Sequence, residues 1–295
     1  MTTVAAGWTR MPRRRWLVVP KRWRNTIGLI GAGIVGLAVF TAAFGHYLWT
    51  TSPISPLYTR LEGPSWAHPM GTDDLGRDTF ARVISGSQIS LEVGGVAVFL
   101  ALVVGALLGV FAGYYGGLID LFLGRVVDMF FAIPSLILAF VIVGLLGHGL
   151  RNEMIAIGVI YMPAFARVTR AAVLEVMGFP FIESGRALGS GDLRIMLRHV
   201  LPNITATLIV LVSVYLSQAI LTEATLSYLG LGTSPPAAAW GSMLATARGF
   251  VSESVWMSIF PGLAIMIVVL GFNFIGDGLR DVLDPRVDDT VARKH

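Results

Sequence analysis

The 295-residue chain contains no cysteine. That excludes disulfides, thiolate metal ligands and cysteine nucleophiles, and leaves the redox compartment open. Lysine is nearly absent too: Lys21 and Lys294 stand one in each tail, and neither follows a glycine. A phosphate-binding loop of the GxxxxGK[ST] type needs a lysine at the nucleotide phosphates. This chain supplies none, so if it uses ATP, another polypeptide must bind it. Charge of either sign is scarce. Charged residues make up 14% of the chain and hydrophobic ones 55%, whereas a soluble domain is roughly 25% charged. Lipid is the expected solvent. The net charge of +4 leaves no nucleic-acid footprint, because the basic residues flank apolar runs and form no patch between aromatics.

Long charge-free runs are what the chain has instead. A bilayer core of about 30 Å needs roughly 20 apolar residues of helix. Asn25–Thr59 is charge-free, with its apolar part ending near Trp49. Val93–Ile119, Met129–Leu150, His199–Thr222 and Ser254–Gly276 are the other long runs. Met154–Ala166 is shorter and fits a re-entrant segment nearly as well as a span.

Charge placement favours a crossing there. Arg10, Arg13, Arg14, Arg15, Lys21, Arg22 and Arg24 precede the first span, which puts the N-terminus in the cytoplasm. Arg167, Arg170, Arg186, Arg194 and Arg198 follow Met154–Ala166, and Arg280, Arg286, Arg293 and Lys294 end the chain. All three basic regions lie inside if Met154–Ala166 crosses. The expectation is an all-α polytopic bundle of six spans with both termini cytoplasmic. Arg167 and Arg170 then extend the fourth span into the headgroups. Arg13-Arg14-Arg15-Trp16-Leu17 hints at an export signal, but the apolar run after it is too long for one.

The parts follow from this. Residues 1–24 form a basic tail against anionic headgroups, 25–49 the first span and 50–88 an outer loop with no room for a separate domain. Residues 89–280 form the core of five spans, with a cytoplasmic loop at 171–203, and 281–295 a second tail. Ala237–Ser254 is a second outer loop.

Several residue patterns stand out. Ala97, Ala101, Gly105, Gly109, Gly113 and Gly117 recur every four residues and form one narrow stripe on a helix. Such faces let membrane helices approach closely, within one subunit or between two. Asp120, Arg125 and Asp128 open the third span, with Arg125 and Asp128 spaced to pair. Glu223 either faces a cavity or marks the membrane boundary. Pro134 and Pro163 should bend the third and fourth spans. Gly71, Thr72, Asp73, Asp74, Leu75, Gly76, Arg77 and Asp78 read as a turn and a helix start, with Asp78 and Arg82 spaced to pair. Their spacing lacks the twelve-residue calcium-loop pattern, and no metal is assigned.

The inner loop is the most informative segment. Phe181–Leu188 reads as a short helix that Gly189 ends in the left-handed conformation. Asp192 is placed to cap a second short helix through Arg198, and Pro202 suits the first turn of the fifth span. Phe181, Ile182, Leu188 and Met196 on such exposed helices imply a docking face. No carboxylate is expected near a midplane and no repeat is clear, which counts against an ion-coupled secondary transporter. The sequence has no GxSxG elbow or HExxH pair, which counts against an embedded hydrolase.

Glu183-Ser184-Gly185-Arg186-Ala187-Leu188-Gly189, nine residues, then His199-Val200-Leu201-Pro202 resembles the EAA loop of ABC import permeases. Glu183, Gly189, Leu201 and Pro202 match that pattern at its spacing. Ser184 and Gly185 replace two alanines, and His199 replaces an isoleucine. Gly71–Asp78 resembles the GTDxLGRD signature of dipeptide, oligopeptide and nickel permeases, and Ala132-Ile133-Pro134-Ser135 is similar to that group. The resemblance covers about residues 70–285. It implies the MetI-like ABC permease fold with six transmembrane helices, in a bacterial inner membrane. It further implies a non-catalytic subunit with no cofactor of its own. A homologous permease would pair with it, two ATPase subunits would carry ATP and Mg, and an extracytoplasmic binding protein would deliver substrate. Residues 183–189 would couple to the ATPases, with Leu201 and Pro202 fixing the loop to the fifth span. Di- or oligopeptides are the implied cargo, with nickel or another peptide-like solute as the alternative.

Overall fold

A computed structural model describes residues 26–283. The two tails, with the basic clusters assigned to them, lie outside the described residues. Ten α-helices make up the described chain, and no strand occurs among these residues. The long ones are α1 (Thr26–Leu48), α2 (Thr79–Tyr115), α5 (Leu150–Met177), α8 (Leu201–Tyr228) and α10 (Trp256–Leu283). Each is long and apolar enough to cross a membrane. The short ones are α3 (Gly117–Phe131), α4 (Ser135–Leu146), α6 (Pro180–Ala187), α7 (Asp192–Ile195) and α9 (Trp240–Ala247).

The uncertain and the secure spans exchange places. Residues 154–166 sit inside the 28-residue α5, which continues through Pro163 and carries Arg167 and Arg170 as expected. The run 129–150 is divided instead: α3 and α4 meet at 90° across Ala132–Pro134 and make at most one broken span. Pro134 lacks an N–H and biases Ile133 away from the α region, so the helix stops before it. Five spans are continuous, and the bent pair has the shape of a broken span or a re-entrant loop, which gives five or six spans in all.

The bundle has two ends. At one, which we call the loop end, residues 49–78 fold over the start of α2. The Trp49 indole donates to Asp78 Oδ2 at 2.6 Å, and Asp78 Oδ1 caps α2 by accepting from the Phe80 N–H at 2.9 Å. Asp78 therefore does not pair with Arg82. Arg82 reaches Asp73 at 3.4 Å and donates to the Pro53 carbonyl at 3.0 Å. Asp73 is the hub of the loop. Its Oδ1 accepts the N–H groups of Leu75 and Arg77, both at 2.9 Å, and its Oδ2 meets Arg77 Nε at 2.5 Å. Thr72 bridges Glu62 N–H and the Thr59 carbonyl. Gly71 and Gly76 turn the chain at φ 77° and 79°, where a side chain would be strained. The Gly71–Asp78 signature is thus the clamp that starts α2, and its carboxylates are turned to arginines and backbone N–H groups. Asp78→Ala removes the cap and the indole bond together. A loss of ~1–2 kcal/mol is expected, near the upper end for caps, read as a lower melting temperature of the purified chain.

The second loop, 237–254, is not plain loop. It contains α9, and Trp240 is buried with its indole donating to the Val83 carbonyl at 2.9 Å. A Cβ on Gly241 would stand 2.7 Å from Ala224 Cα, so α9 lies directly on α8.

Candidate functional site

Between α5 and α8, at the end of the bundle away from residues 49–78, the chain makes an elbow. Helix α5 stops at Gly178. Pro180 sits at the start of α6, where its missing N–H costs nothing. Helix α6 ends in a Schellman motif. Gly189 has φ 79°, its N–H donates to the Arg186 carbonyl at 2.9 Å, and the Ser190 N–H reaches back to Gly185 at 3.0 Å. The expected glycine stop is therefore present. Ser184 Oγ donates to the Pro180 carbonyl at 3.0 Å. A Cβ on Gly185 would meet nothing within 4 Å, so α6 has room for an alanine there.

The second arm differs from expectation. Gly191, not Asp192, occupies the cap position of α7. Helix α7 does not end at Arg198 but passes through a π-helical turn, Met196–Val200, straight into α8. Pro202 stands in the first turn of α8, as expected, but that turn is inside one continuous rod, 192–228. The π turn re-pairs the backbone, with the Leu201 N–H bonding the Met196 carbonyl, and Asn203 Nδ2 satisfies the His199 carbonyl at 2.5 Å. A proline inside a helix frees such carbonyls, and a π-bulge is a common answer.

The elbow has a buried inner side. Ile182, Ile195, Met196 and Val200 pack with Tyr114 of α2, Val173 and Val176 of α5, and Ile204 and Leu208 of α8. Of the four apolar residues expected to form a docking face, Ile182 and Met196 point inward instead. The exposed set is Phe181, Leu188, Leu193 and Leu197, with Leu188 at 86%. Glu183, Ser184, Arg186 and Ala187 are exposed beside them. Leu201 and Pro202 also face outward, so Met196, Val200 and Ile204 hold the elbow to α8 in their place. Tyr114 ties both arms to α2. Its hydroxyl donates to Asp192 at 2.7 Å, and the Arg186 guanidinium lies 5.5 Å from its ring centroid. Asp192 is thus a tether to α2.

The small-residue stripe on α2 lies directly against α5, next to the elbow. A Cβ on Gly105 would stand 2.5 Å from the Met162 carbonyl; on Gly109, 2.5 Å from the Ala166 carbonyl; on Gly113, 2.8 Å from Val173 Cβ. Ala97 and Ala101 continue the buried face. The stripe is therefore a seam between α2 and α5 within one chain. Gly117 does not belong to it. Helix α2 ends at Tyr115, and Gly116 and Gly117, at φ 64° and 54°, turn the chain away into α3. Helix α3 is tied to α5 by ion pairs that differ from the expected Arg125–Asp128 pair. Asp120 makes a two-bond pair with Arg170, and Asp128 meets Arg167 at 3.1 Å. A cleft of about 340 Å³ between α2, α3 and α5 is lined by these groups and by Gly109. Glu223 is fully buried, hydrogen-bonded to Ser90 and Ser227. Glu153, which no sequence pattern singled out, is fully buried beside Ser227. The Glu223–Ser227 spacing of one helical turn was the available signal for a polar cluster inside a span.

A membrane-helix bundle with a docked elbow between α5 and α8 agrees with the sequence comparisons. Residues 105–289 match the family described as binding-protein-dependent transport system inner membrane component. The chain belongs to this family. It is a non-catalytic, multi-pass permease subunit of an ABC importer. The permease is 43% identical over 266 residues, 90% of its length and 87% of the relative's, to the dipeptide transport system permease protein of Alkalihalophilus pseudofirmus. It is 40% identical over 278 residues, 93% and 92% of the two chains, to the glutathione transport system permease protein of Pectobacterium atrosepticum. Its fold is similar to a permease chain of the inward-facing MetNI methionine ABC transporter, with a TM-score of 0.57 at 21% identity over 69% of this chain and 96% of that one.

Proposed function

We propose that this permease pairs with a homologous permease in a bacterial inner membrane and carries small peptides. An extracytoplasmic binding protein delivers the cargo, and two ATPase subunits with their own ATP and Mg drive the cycle. The elbow faces the cytoplasm, as the five arginines from Arg167 to Arg198 favour. Residues 183–189 and the exposed leucines are the contact with an ATPase subunit. The observation that carries this reading is the two-sidedness of the elbow. One side is exposed, apolar and charged; the other is packed into α2, α5 and α8. A partner that moves the exposed side moves three core helices with it, as a rigid lever between two states. Peptide cargo is supported by the dipeptide and glutathione relatives.

Glu183 is exposed in the first turn of α6 and makes no ion pair among the described residues, so a basic group on a partner is its natural counterpart. In reconstituted transporter, Glu183→Ala is expected to lower dipeptide uptake per ATP hydrolysed about tenfold, equivalent to ~1.4 kcal/mol of coupling. The folded fraction of the permease should not change. Uptake and hydrolysis both at wild-type levels would remove Glu183 from the coupling contact. Competition of labelled dipeptide with glutathione and with nickel separates the cargo readings.

A further inference from the structure

Glu153 on α5 and Glu223 on α8 take no part in the coupling described above, yet both are fully buried. Ser90 of α2 donates to Glu223 Oε2 at 2.8 Å. Ser227 Oγ lies 2.9 Å from Glu223 Oε1 and 3.4 Å from Glu153 Oε1. The second Glu153 oxygen, Oε2, is buried with no partner.

No basic side chain pairs with either carboxyl among the described residues. Arg151 on α5 and Glu92 on α2 lie on exposed faces. The Asn152 amide is spent on the carbonyls of Leu146 and Gly147, and the Tyr161 hydroxyl on Thr222 and the Gln218 carbonyl. Helices α4 and α9 pack here with Ala139, Val143, Trp240 and Gly241, none of them titratable. On α10, Asn273 is taken by Ser217.

Hydrogen counting and the unpartnered Glu153 oxygen together decide the arrangement. Ser227 has one hydroxyl hydrogen but touches two carboxyls. Once it donates to Glu223, its contact with Glu153 is a hydrogen bond only if Glu153 carries a proton and donates to Ser227 Oγ. The orphan oxygen agrees. The carbonyl of a neutral acid tolerates the lack of a donor, whereas an ionised oxygen buried without one does not. Two uncompensated carboxylates inside a membrane protein would be worse still.

We propose that Glu153 and Glu223 form a proton-binding site that clasps α2, α5 and α8 toward the loop end. One proton resides on Glu153, and Ser227 relays its hydrogen bond to an ionised Glu223 that Ser90 also holds. When α5 and α8 separate, water reaches the pair, the Glu153 O–H bond breaks, and the proton leaves to water with its electron pair left on the carboxylate. Closing the clasp takes one proton back.

The test uses the full chain with its partner subunits in lipid nanodiscs. Infrared difference spectra on alkalinisation should show a neutral-carboxyl C=O band in the wild type. Glu153→Gln should abolish it, and Ser227→Ala should move it to higher frequency as its hydrogen bond is lost. Thermal unfolding gives the second readout. An unfolded glutamate loses its proton near pH 4.3, while the native pair keeps one. The native state then binds more protons, so stability falls as pH rises from neutral until the native pair ionises. Glu153→Gln should flatten that slope. If this variant does not fold, the wild-type band and its shift in Ser227→Ala still decide. Absence of a neutral-carboxyl band, a band indifferent to both variants, or stability that follows sodium concentration instead of pH each overturn the proposal.

Discussion

Gly109→Leu should deplete the folded permease, while Gly95→Leu, on the same helix, should leave it intact. The stripe on α2 has no side chains to shift. At Gly109 a Cβ alone would stand 2.5 Å from the Ala166 carbonyl, 2.6 Å from Thr169 Cβ and 2.9 Å from the Arg170 nitrogen. Two of these are backbone atoms of α5. Overpacking costs ~1–3 kcal/mol where side chains relax, and here α5 itself must retreat, so a loss of ~3 kcal/mol or more is expected. Retreat would also strip the contacts at Gly105 and Gly113, because the three glycines share one rigid seam. At Gly95 a Cβ meets nothing within 4 Å. The monodisperse fraction after detergent extraction, with the melting temperature of each variant, checks this. Equal behaviour of the two variants would mean that the seam does not hold the chain together.

The seam was legible because a four-residue repeat of small side chains has one structural meaning in a helix. Its last member failed for a local reason. Gly117 keeps the spacing but follows Gly116, and two successive left-handed glycines end a helix that the spacing alone would continue. Charges were harder to place than spans. Pairing Arg125 with Asp128 and Asp78 with Arg82 used neighbours along one helix. In the structure Asp128 and Asp120 pair across to α5, and Arg82 reaches back to Asp73. Tertiary partners win where a long arginine side chain spans the gap between packed helices. The division at Pro134 was read as a bend and is a 90° break. In the elbow, Gly189 could be read because a positive φ demands it. The inward turn of Ile182 and Met196 could not, because short helices give too few turns for periodicity to show which face is buried. Glu153 escaped notice because it sits in the first turn of α5, where an acid is ordinary. Its burial depends on α8 lying across it.

Two residues six apart in the elbow should fail in opposite ways. Ile182 is 1% exposed and inserts between α2, α5 and the α7–α8 rod. Truncating such a side chain costs ~2–5 kcal/mol, and in this small satellite cluster the loss falls on the elbow's docking before it reaches the whole bundle. Ile182→Ala should therefore leave α6 available to a partner but loosen its grip on the core. The ATPase subunits would still co-purify and still hydrolyse ATP, while uptake per ATP falls by an estimated ten- to hundredfold, ~1.4–2.8 kcal/mol of coupling. Leu188, at 86% exposed, touches little of its own chain. Leu188→Ser should leave the elbow docked and the melting temperature unchanged, and reduce co-purification of the ATPase instead. Hydrogen exchange of residues 180–200 separates the two, rising in Ile182→Ala and unchanged in Leu188→Ser. If Ile182→Ala raises exchange there yet transport stays at the wild-type level, the elbow does not act as a lever, because a lever that slips on its own bearing cannot transmit the stroke.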